Sequence, residues 1–156
     1  MPNLTFERLT EADLPLVEAW LCTDHVRRWW GDPASELGAI RTDMASENYA
    51  ASIVHLDGRA IGFVHWWRAV DQTETGFDLF IGEADHVGRG IGAQVIKASA
   101  NRLFKFGIRR ICVDIDNKNE AAISAFGVAG FALAETPAGR KEPFVVMSCE
   151  AELVGA

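Results

Sequence analysis

An aspartate set into an apolar run and three glycines at alternate positions lie close together in GFDLFIGEADHVGRGIGA, residues 76–93. Strand alternation puts Asp78 on the face of Phe80 and opposite Phe77, Leu79 and Ile81. A carboxylate there is either an exposed strand residue or a group for acid–base work. Gly88, Gly90 and Gly92 stand just ahead of a helical pattern. Glycine is costly there unless the backbone turns sharply or a ligand approaches it closely. A Walker phosphate loop is excluded, because Ala93-Gln94 follow where it needs Lys-Ser or Lys-Thr. Gly88-x-Gly90-x-x-Ala93 satisfies a relaxed dinucleotide fingerprint, with Asp114 and Asp116 at the end of the next strand. Against it, EADHV separates the glycines from their strand, and the motif lies past the middle of the chain. A third reading seats a pyrophosphate on successive backbone N–H groups at a helix N-terminus. A glycine-rich helix start that binds nothing is the plain alternative.

Other residues offer less chemistry. His25, His55, His65 and His86 have no metal-ligand spacing and read as structural or surface histidines, with His65 a spare base. Cys22, Cys112 and Cys149 are odd in number and lack CxxC spacing, so they read as reduced intracellular thiols, and no metal is expected. The formal charge of −7 argues against a nucleic-acid partner. It suits plain solubility or the steering of a cationic small molecule. An apolar content of 49% and a charged content of 24% over 156 residues fit one domain, 1–156, with its own core. No stretch approaches the ~20 apolar residues of a membrane span. The start, MPNLTFERLTEADL, lacks the basic and apolar regions of a signal peptide, so a cytoplasmic protein without membrane contact is expected.

The elements that must position these groups follow from periodicity. LTFERL alternates as a first strand, and TEADLPLVEAWL starts a helix at Thr10 with Asp13 placed for a near capping box. DHVRRWW forms a short helix stopped by Gly31-Asp32-Pro33, and a third helix is expected over 36–47. AASIVHL and AIGFVHWWRAV make a hairpin through Asp57-Gly58, and TGFDLFIG is the next strand. Residues 93 to about 106 are an amphipathic helix closed by Gly107. RRICVDI is a strand, and NEAAISAFGVA a helix capped by Asn119 and stopped by Gly130. FALAET and PFVVMSCEAEL end the chain as strands joined by a turn in TPAGRKE. The sum is a mixed α/β sheet of about seven strands.

VGRGIGAQVI, a strand, and then NKNEAAISAFGVAGF resemble the acyl-coenzyme-A signature of the Gcn5-related N-acetyltransferase (GNAT) superfamily. The resemblance runs over essentially the whole chain and implies the GNAT fold, a mixed, mostly antiparallel sheet flanked by helices. It implies acetyl-coenzyme A as co-substrate. The pyrophosphate would lie at Val87, Gly88, Arg89, Gly90, Ile91, Gly92 and Ala93, and the pantetheine arm and thioester along Leu79, Phe80 and Ile81 and beside Asn119, Ala122 and Phe126. In the superfamily, backbone N–H groups near Leu79 and Phe80 polarise the thioester carbonyl. Two residues depart from the signature: Val87 replaces the usual Gln or Arg, and Phe126 stands where many members have the tyrosine that protonates the leaving thiolate. Tyr49, the only tyrosine, lies outside that helix.

DLPLVEAWLCTDHVRRWWGDP is similar to the corresponding segment of bacterial aminoglycoside 6′-N-acetyltransferases, and GFD and TPAGRKEPFVVM echo them too. Siderophore-type lysine N-acyltransferases share parts of the pattern. The resemblance makes Asp78 the group that binds the acceptor ammonium and relays its proton. It places Trp29, Trp30 and Asp32 in the acceptor segment and Asp114 against the substrate, with Asp116 and Glu74 as further acids. A Trp- and Glu-rich insertion of those enzymes is missing, leaving only residues 71–75. The expectation is therefore an acetyl-coenzyme-A-dependent N-acetyltransferase, monomer or homodimer, acting on a primary amine of a cationic small molecule, an aminoglycoside first. The rivals are lysine N-acylation for a siderophore and a non-catalytic acyl-coenzyme-A sensor, the latter made plausible by Phe126.

Overall fold

The computed structural model describes residues 3–68, 73–134 and 143–152. The N-terminal third is β1 (Leu4–Arg8), a 3-10 turn (Glu11–Asp13) and three helices: α1 (Leu14–Leu21), α2 (Asp24–Trp30) and α3 (Pro33–Asp43). Then come β2 (Tyr49–Leu56), β3 (Arg59–Trp67), β4 (Glu74–Thr75), β5 (Phe77–Ile81) and α4 (Ile91–Lys105). The chain closes with β6 (Arg110–Asp116), α5 (Glu120–Val128), β7 (Ala132–Leu133) and β8 (Phe144–Glu150).

Local chemistry explains the main turns and ends. Asp13 accepts the Thr10 N–H at 2.8 Å ahead of α1. Asp57 and Gly58 both take positive φ (50° and 85°), the left-handed pair that matches strand twist in a tight hairpin. Gly107, at φ 98°, ends α4 with its N–H on the Phe104 carbonyl, as a C′ glycine does. Three boundaries differ from the periodicity. α3 starts earlier because Asp32 caps it and Pro33 needs no donor in the first turn. α4 starts at Ile91 because left-handed Gly90 serves as its N-cap. The strand expected over 75–82 is two strands separated by Gly76. The expected TPAGRKE turn and residues 71–72 lie outside the described residues.

That break organises the molecule. The strands form two sheets, in the orders β1-β2-β3-β5 and β4-β6-β8-β7. β4 pairs with β6 in parallel only at Glu74↔Arg110 and Thr75↔Ile111, and every other pairing is antiparallel. At Gly76 a Cβ would run into the Cys112 carbonyl oxygen, so only glycine lets the two backbones come so close. Beyond it the chain leaves β6 and, among the described strands, pairs with β3 alone, so β5 keeps one edge free of them.

Apolar residues fill both faces. Phe77, Ile111, Val113 and Ile115 pack with Ile91, Val95, Ile96 and Leu103 of α4 and with Phe126 of α5. Phe63 and Phe80 pack on the other face with Val17, Trp20, Leu21, Val26 and Ile40 of the three N-terminal helices. Trp20 is 3% exposed, donates to Glu83 at 2.7 Å, and lies where a Cβ on Gly82 would fall. Gly82→Ala is therefore expected to lower stability by about 1–3 kcal/mol through overpacking. Urea unfolding checks it, and an unchanged midpoint would mean the indole can move aside.

Candidate active site

The free edge of β5 is the first component. The Gly82 N–H bonds to the carbonyl of Ile61, directly opposite in an antiparallel register that runs unbroken to Trp66↔Phe77. Hydrogen-bonded and non-bonded pairs alternate along such a ladder. Asp78 and Phe80 therefore turn their main-chain groups to β3, while Phe77, Leu79 and Ile81 turn theirs to the free edge. Of the two expected carbonyl-polarising donors, Leu79 has the available N–H, and the N–H of Phe80 belongs to the sheet. The Ile81 carbonyl accepts from Nε2 of His25 at 2.8 Å, which ties α2 to this edge.

The glycine loop is the second component. Gly88 and Gly90 hold φ values of 82° and 78°, and no atom of the described residues lies within 4 Å of where a Cβ would stand on either. The first in-helix bond of α4 is Gln94 N–H to the Gly90 carbonyl, so the Ile91, Gly92 and Ala93 N–H groups have no partner within the helix. Ile91 and Ala93 are buried and anchor this turn, whereas Val87 and Arg89 are exposed. Open space over left-handed glycines, beside N–H groups that α4 itself leaves free, fits a phosphate group, and the positive φ is a second reason for glycine at both positions.

The third component is a cluster of aromatic and acidic side chains on the opposite face of β5, where α2 and α3 cover the sheet. His65 stands directly across the ladder from Asp78. The two therefore share a face, with Cβ atoms about 5.5 Å apart. His65 is 6% exposed and enclosed by the rings of Trp30, Tyr49, Phe63 and Trp67, the last with centroids 4.6 Å away. Tyr49 Oη lies 2.6 Å from its Nδ1. Burial holds the imidazole down at about 4, so it is neutral at physiological pH. Burial, with Asp43 and Glu36 adding to it, raises the Tyr49 hydroxyl above its ordinary value, so that group keeps its proton.

Asp78 has water on one side, yet protein crowds it on the others. That loss of hydration pushes its carboxyl up to about 6, against the pull of the Leu79 N–H, while Glu36 adds to the rise. The Leu79 N–H donates to Asp78 Oδ1 at 2.9 Å. Burial also raises Glu36. Glu36 and Asp43 both act on Tyr49, and Glu36 on Asp78; acids near aromatic rings suit a cation, with the rings contributing through their π faces. A carboxyl near 6 can accept a proton and release it again at neutral pH.

The remaining sequence candidates divide. Trp30 turns inward, with ring centroids 5.1 Å from Phe80, while Trp29 carries the Arg28 guanidinium over its ring at 4.9 Å. Asp32 caps α3, accepting from the Ser35 N–H and hydroxyl, both at 2.9 Å, and those bonds lower its carboxyl. Asp116 closes the turn after β6 by accepting the Lys118 N–H at 2.9 Å. Asp114 is exposed on β6, on the face away from buried Val113 and Ile115. Glu74 is exposed on β4 and bonded to Cys112, whose thiol burial and that bond raise. Asn119 caps α5 through the Ala122 N–H at 3.2 Å. Phe126 is buried against Phe77 and Phe131, with centroids 5.9 and 5.1 Å away, as part of the apolar core. Glu36 and Asp43 were not singled out by the sequence, although their spacing with buried Ile40 puts all three on one stripe of α3.

A family model described as "Acetyltransferase (GNAT) domain" matches residues 10–137. The chain belongs to the GNAT acetyltransferase family. It is an acetyl-coenzyme-A-dependent N-acetyltransferase, with the fold that its signature implied. Aminoglycoside N(6′)-acetyltransferase type 1 of Klebsiella pneumoniae is 26% identical over 148 residues, 83% of this chain and 74% of that protein. The structure of AAC(6′)-Ib in complex with paromomycin and acetyl-coenzyme A superposes with a TM-score of 0.81 at 26% identity, covering 95% of this chain and 93% of that one. Its complex with coenzyme A and kanamycin gives 0.80 at 25% identity, covering 95% of each. Among the described residues no helix is long and apolar enough to cross a membrane, and no cluster of three or more His, Cys, Asp or Glu could hold a metal ion.

Proposed function

We propose that this GNAT enzyme acetylates a primary amine of a cationic small molecule in the cytoplasm, and that an aminoglycoside is the acceptor class to test first. The cluster of acids and aromatic rings around Asp78, beside the free edge of β5, carries the reading. Similarity to enzymes whose complexes contain paromomycin and kanamycin adds to it.

When bound, acetyl-coenzyme A supplies the activated acetyl group as a thioester. The residues that would hold it are the Gly88–Ala93 turn for the phosphates and the Leu79 N–H for the acyl end. On the acceptor side, Glu36, Asp43 and Asp78 draw in the ammonium while Trp30, Tyr49 and Trp67 wall it in. Asp78 takes the proton that must leave before nitrogen can attack, and passes it to water at its wet side. Holding both reactants in place supplies several kcal/mol of the barrier reduction.

The buried Phe126 ring gives the departing sulfur no hydroxyl. A free thiol titrates at about 8.5. Leaving as thiolate at neutral pH therefore costs about 1.4–2.7 kcal/mol, or 10- to 100-fold in rate. A slower enzyme is expected on this ground, not a dead one.

The test is thiol release from acetyl-coenzyme A with a panel of aminoglycosides beside lysine and hydroxylysine derivatives. Release with aminoglycosides is the expected outcome. Turnover confined to lysine derivatives, with longer acyl donors accepted, would replace that acceptor with a siderophore precursor. Coenzyme A bound without release to any amine would make the chain a sensor.

A further inference from the structure

Among the described residues, Asp78 accepts one hydrogen bond, from the N–H of its own neighbour Leu79. That same N–H is the one β5 turns to its free edge, where the acyl end of the donor belongs. If Leu79 serves the thioester, Asp78 loses its partner when it must receive the acceptor's proton. A carboxylate left without a donor in crowded surroundings neither ionises easily nor points in a fixed direction.

A replacement stands opposite. His65 shares a face of the sheet with Asp78 and is fixed by four aromatic rings. Its Nδ1 is occupied by Tyr49 Oη at 2.6 Å. With the imidazole neutral, one proton lies between Nδ1 and Oη and one other belongs to either Nε2 or the hydroxyl. The carboxylate across the ladder favours the arrangement that brings a donor toward it. Tyr49 then donates to Nδ1, and Nε2 carries the ring proton.

We propose that Tyr49 and His65 are positioning residues for Asp78: the Tyr49 hydroxyl fixes the Nε2–H tautomer of His65, and that N–H takes over the Asp78 carboxylate when the Leu79 N–H is engaged by the acyl donor. This rests on the N-acetyltransferase reading of the free β5 edge. The groups that bear on Asp78 and on this pair are Leu79 on β5, His65 on β3, Tyr49 on β2, and Glu36 and Asp43 on α3. Burial and Glu36 oppose ionisation of Asp78, so the His65 donor is what keeps it a usable base at neutral pH. A donor to the ionised form lowers the carboxyl, and its removal raises it.

The test follows the Asp78 side-chain carbon by 13C NMR from pH 4 to 8, with and without acetyl-coenzyme A and with no acceptor amine present, in wild type, His65→Leu, His65→Gln and Tyr49→Phe. Asp78→Asn identifies the resonance. With acetyl-coenzyme A bound, His65→Leu is expected to raise the midpoint by about one pH unit. Tyr49→Phe is expected to raise it by less, and His65→Gln, which keeps an N–H donor, to return it toward wild type. The acid limb of kcat/KM is expected to move in the same order. Tyr49→Phe preserves the ring packing, so it stands as the test should His65→Leu unfold. Coincident wild-type and variant curves with acetyl-coenzyme A bound would overturn the proposal. So would 15N shifts showing the proton of His65 on Nδ1. Neither readout requires turnover, so failure here is distinct from failure of the acceptor assignment, which shows as no thiol release with any amine.

Discussion

Asp78→Asn is expected to lower kcat/KM about 10²- to 10⁴-fold and, at neutral pH, to leave the protein more stable than before. The two effects share one cause. Removal of hydration raises the carboxyl from 3.8 to about 6 in the folded protein. The folded state therefore binds the Asp78 proton more tightly than the unfolded state does. Its stabilising effect is complete below 3.8 and is lost as pH rises through about 6. Above that, the ionised side chain works against the fold, and asparagine, which still accepts the Leu79 N–H, does not. Allowing for the wet side of Asp78, the gain at pH 7–8 is about 1–2 kcal/mol. Thermal unfolding at pH 7.5 and at pH 3.5 separates the explanations: the mutant should exceed wild type at the first pH and match it at the second. A mutant that is inactive but no more stable at pH 7.5 would mean that Asp78 is well solvated and its raised carboxyl is not what suits it to the reaction.

His65 opposes this dependence. Its folded value is lowered from 6.5 to about 4, so the stability it contributes is present above 6.5 and lost as pH falls through about 4. Acidification between pH 6.5 and 4 thus relieves Asp78 while it strains His65, and the pair holds opposite protonation preferences face to face.

How much of this was legible in the sequence depends on the range of the signal. Gly107, Asp57-Gly58, Asn119 and Asp13 act within a few residues, and each turn or cap formed where its spacing placed it. The break at Gly76 was not legible, because its reason is the Cys112 carbonyl on another strand. Without that break the expected strand ran straight through the point where the two sheets separate. Asp78 was found because it interrupts an apolar alternation, a local cue. Glu36, Asp43 and the Tyr49–His65 pair were hidden because they meet only once α3 lies over the β2–β3 hairpin. Asp32 and Asp116 show the converse: acids in suggestive company, each holding a backbone N–H close to it in sequence. Trp29 and Trp30 are neighbours on α2, and the helical turn alone sends one outward and the other against Phe80.

Gly90→Asn is expected to raise the dissociation constant for coenzyme A about 100-fold, equivalent to roughly 2.7 kcal/mol, while changing stability by less than about 1 kcal/mol. The choice of asparagine isolates the reason for the glycine. Gly90 sits at φ 78° as the N-cap of α4, a conformation asparagine tolerates better than most side chains. No atom of the described residues lies within 4 Å of the added Cβ, so the fold itself has room for it. What the side chain would obstruct is whatever lies on the Ile91, Gly92 and Ala93 N–H groups. Each hydrogen bond to a charged oxygen lost there costs about 1.5–3 kcal/mol, enough to account for the whole effect through one or two contacts. Gly92→Ala is the comparison: Gly92 lies inside α4 with open space around it, so alanine should add up to about 0.5–1 kcal/mol of helix stability. Calorimetric titration with coenzyme A beside urea unfolding of both variants decides the matter. Weak binding with an intact fold would mean that a ligand's approach keeps Gly90 small. Wild-type binding by Gly90→Asn would move the phosphate off this turn and leave the glycines as backbone hinges only.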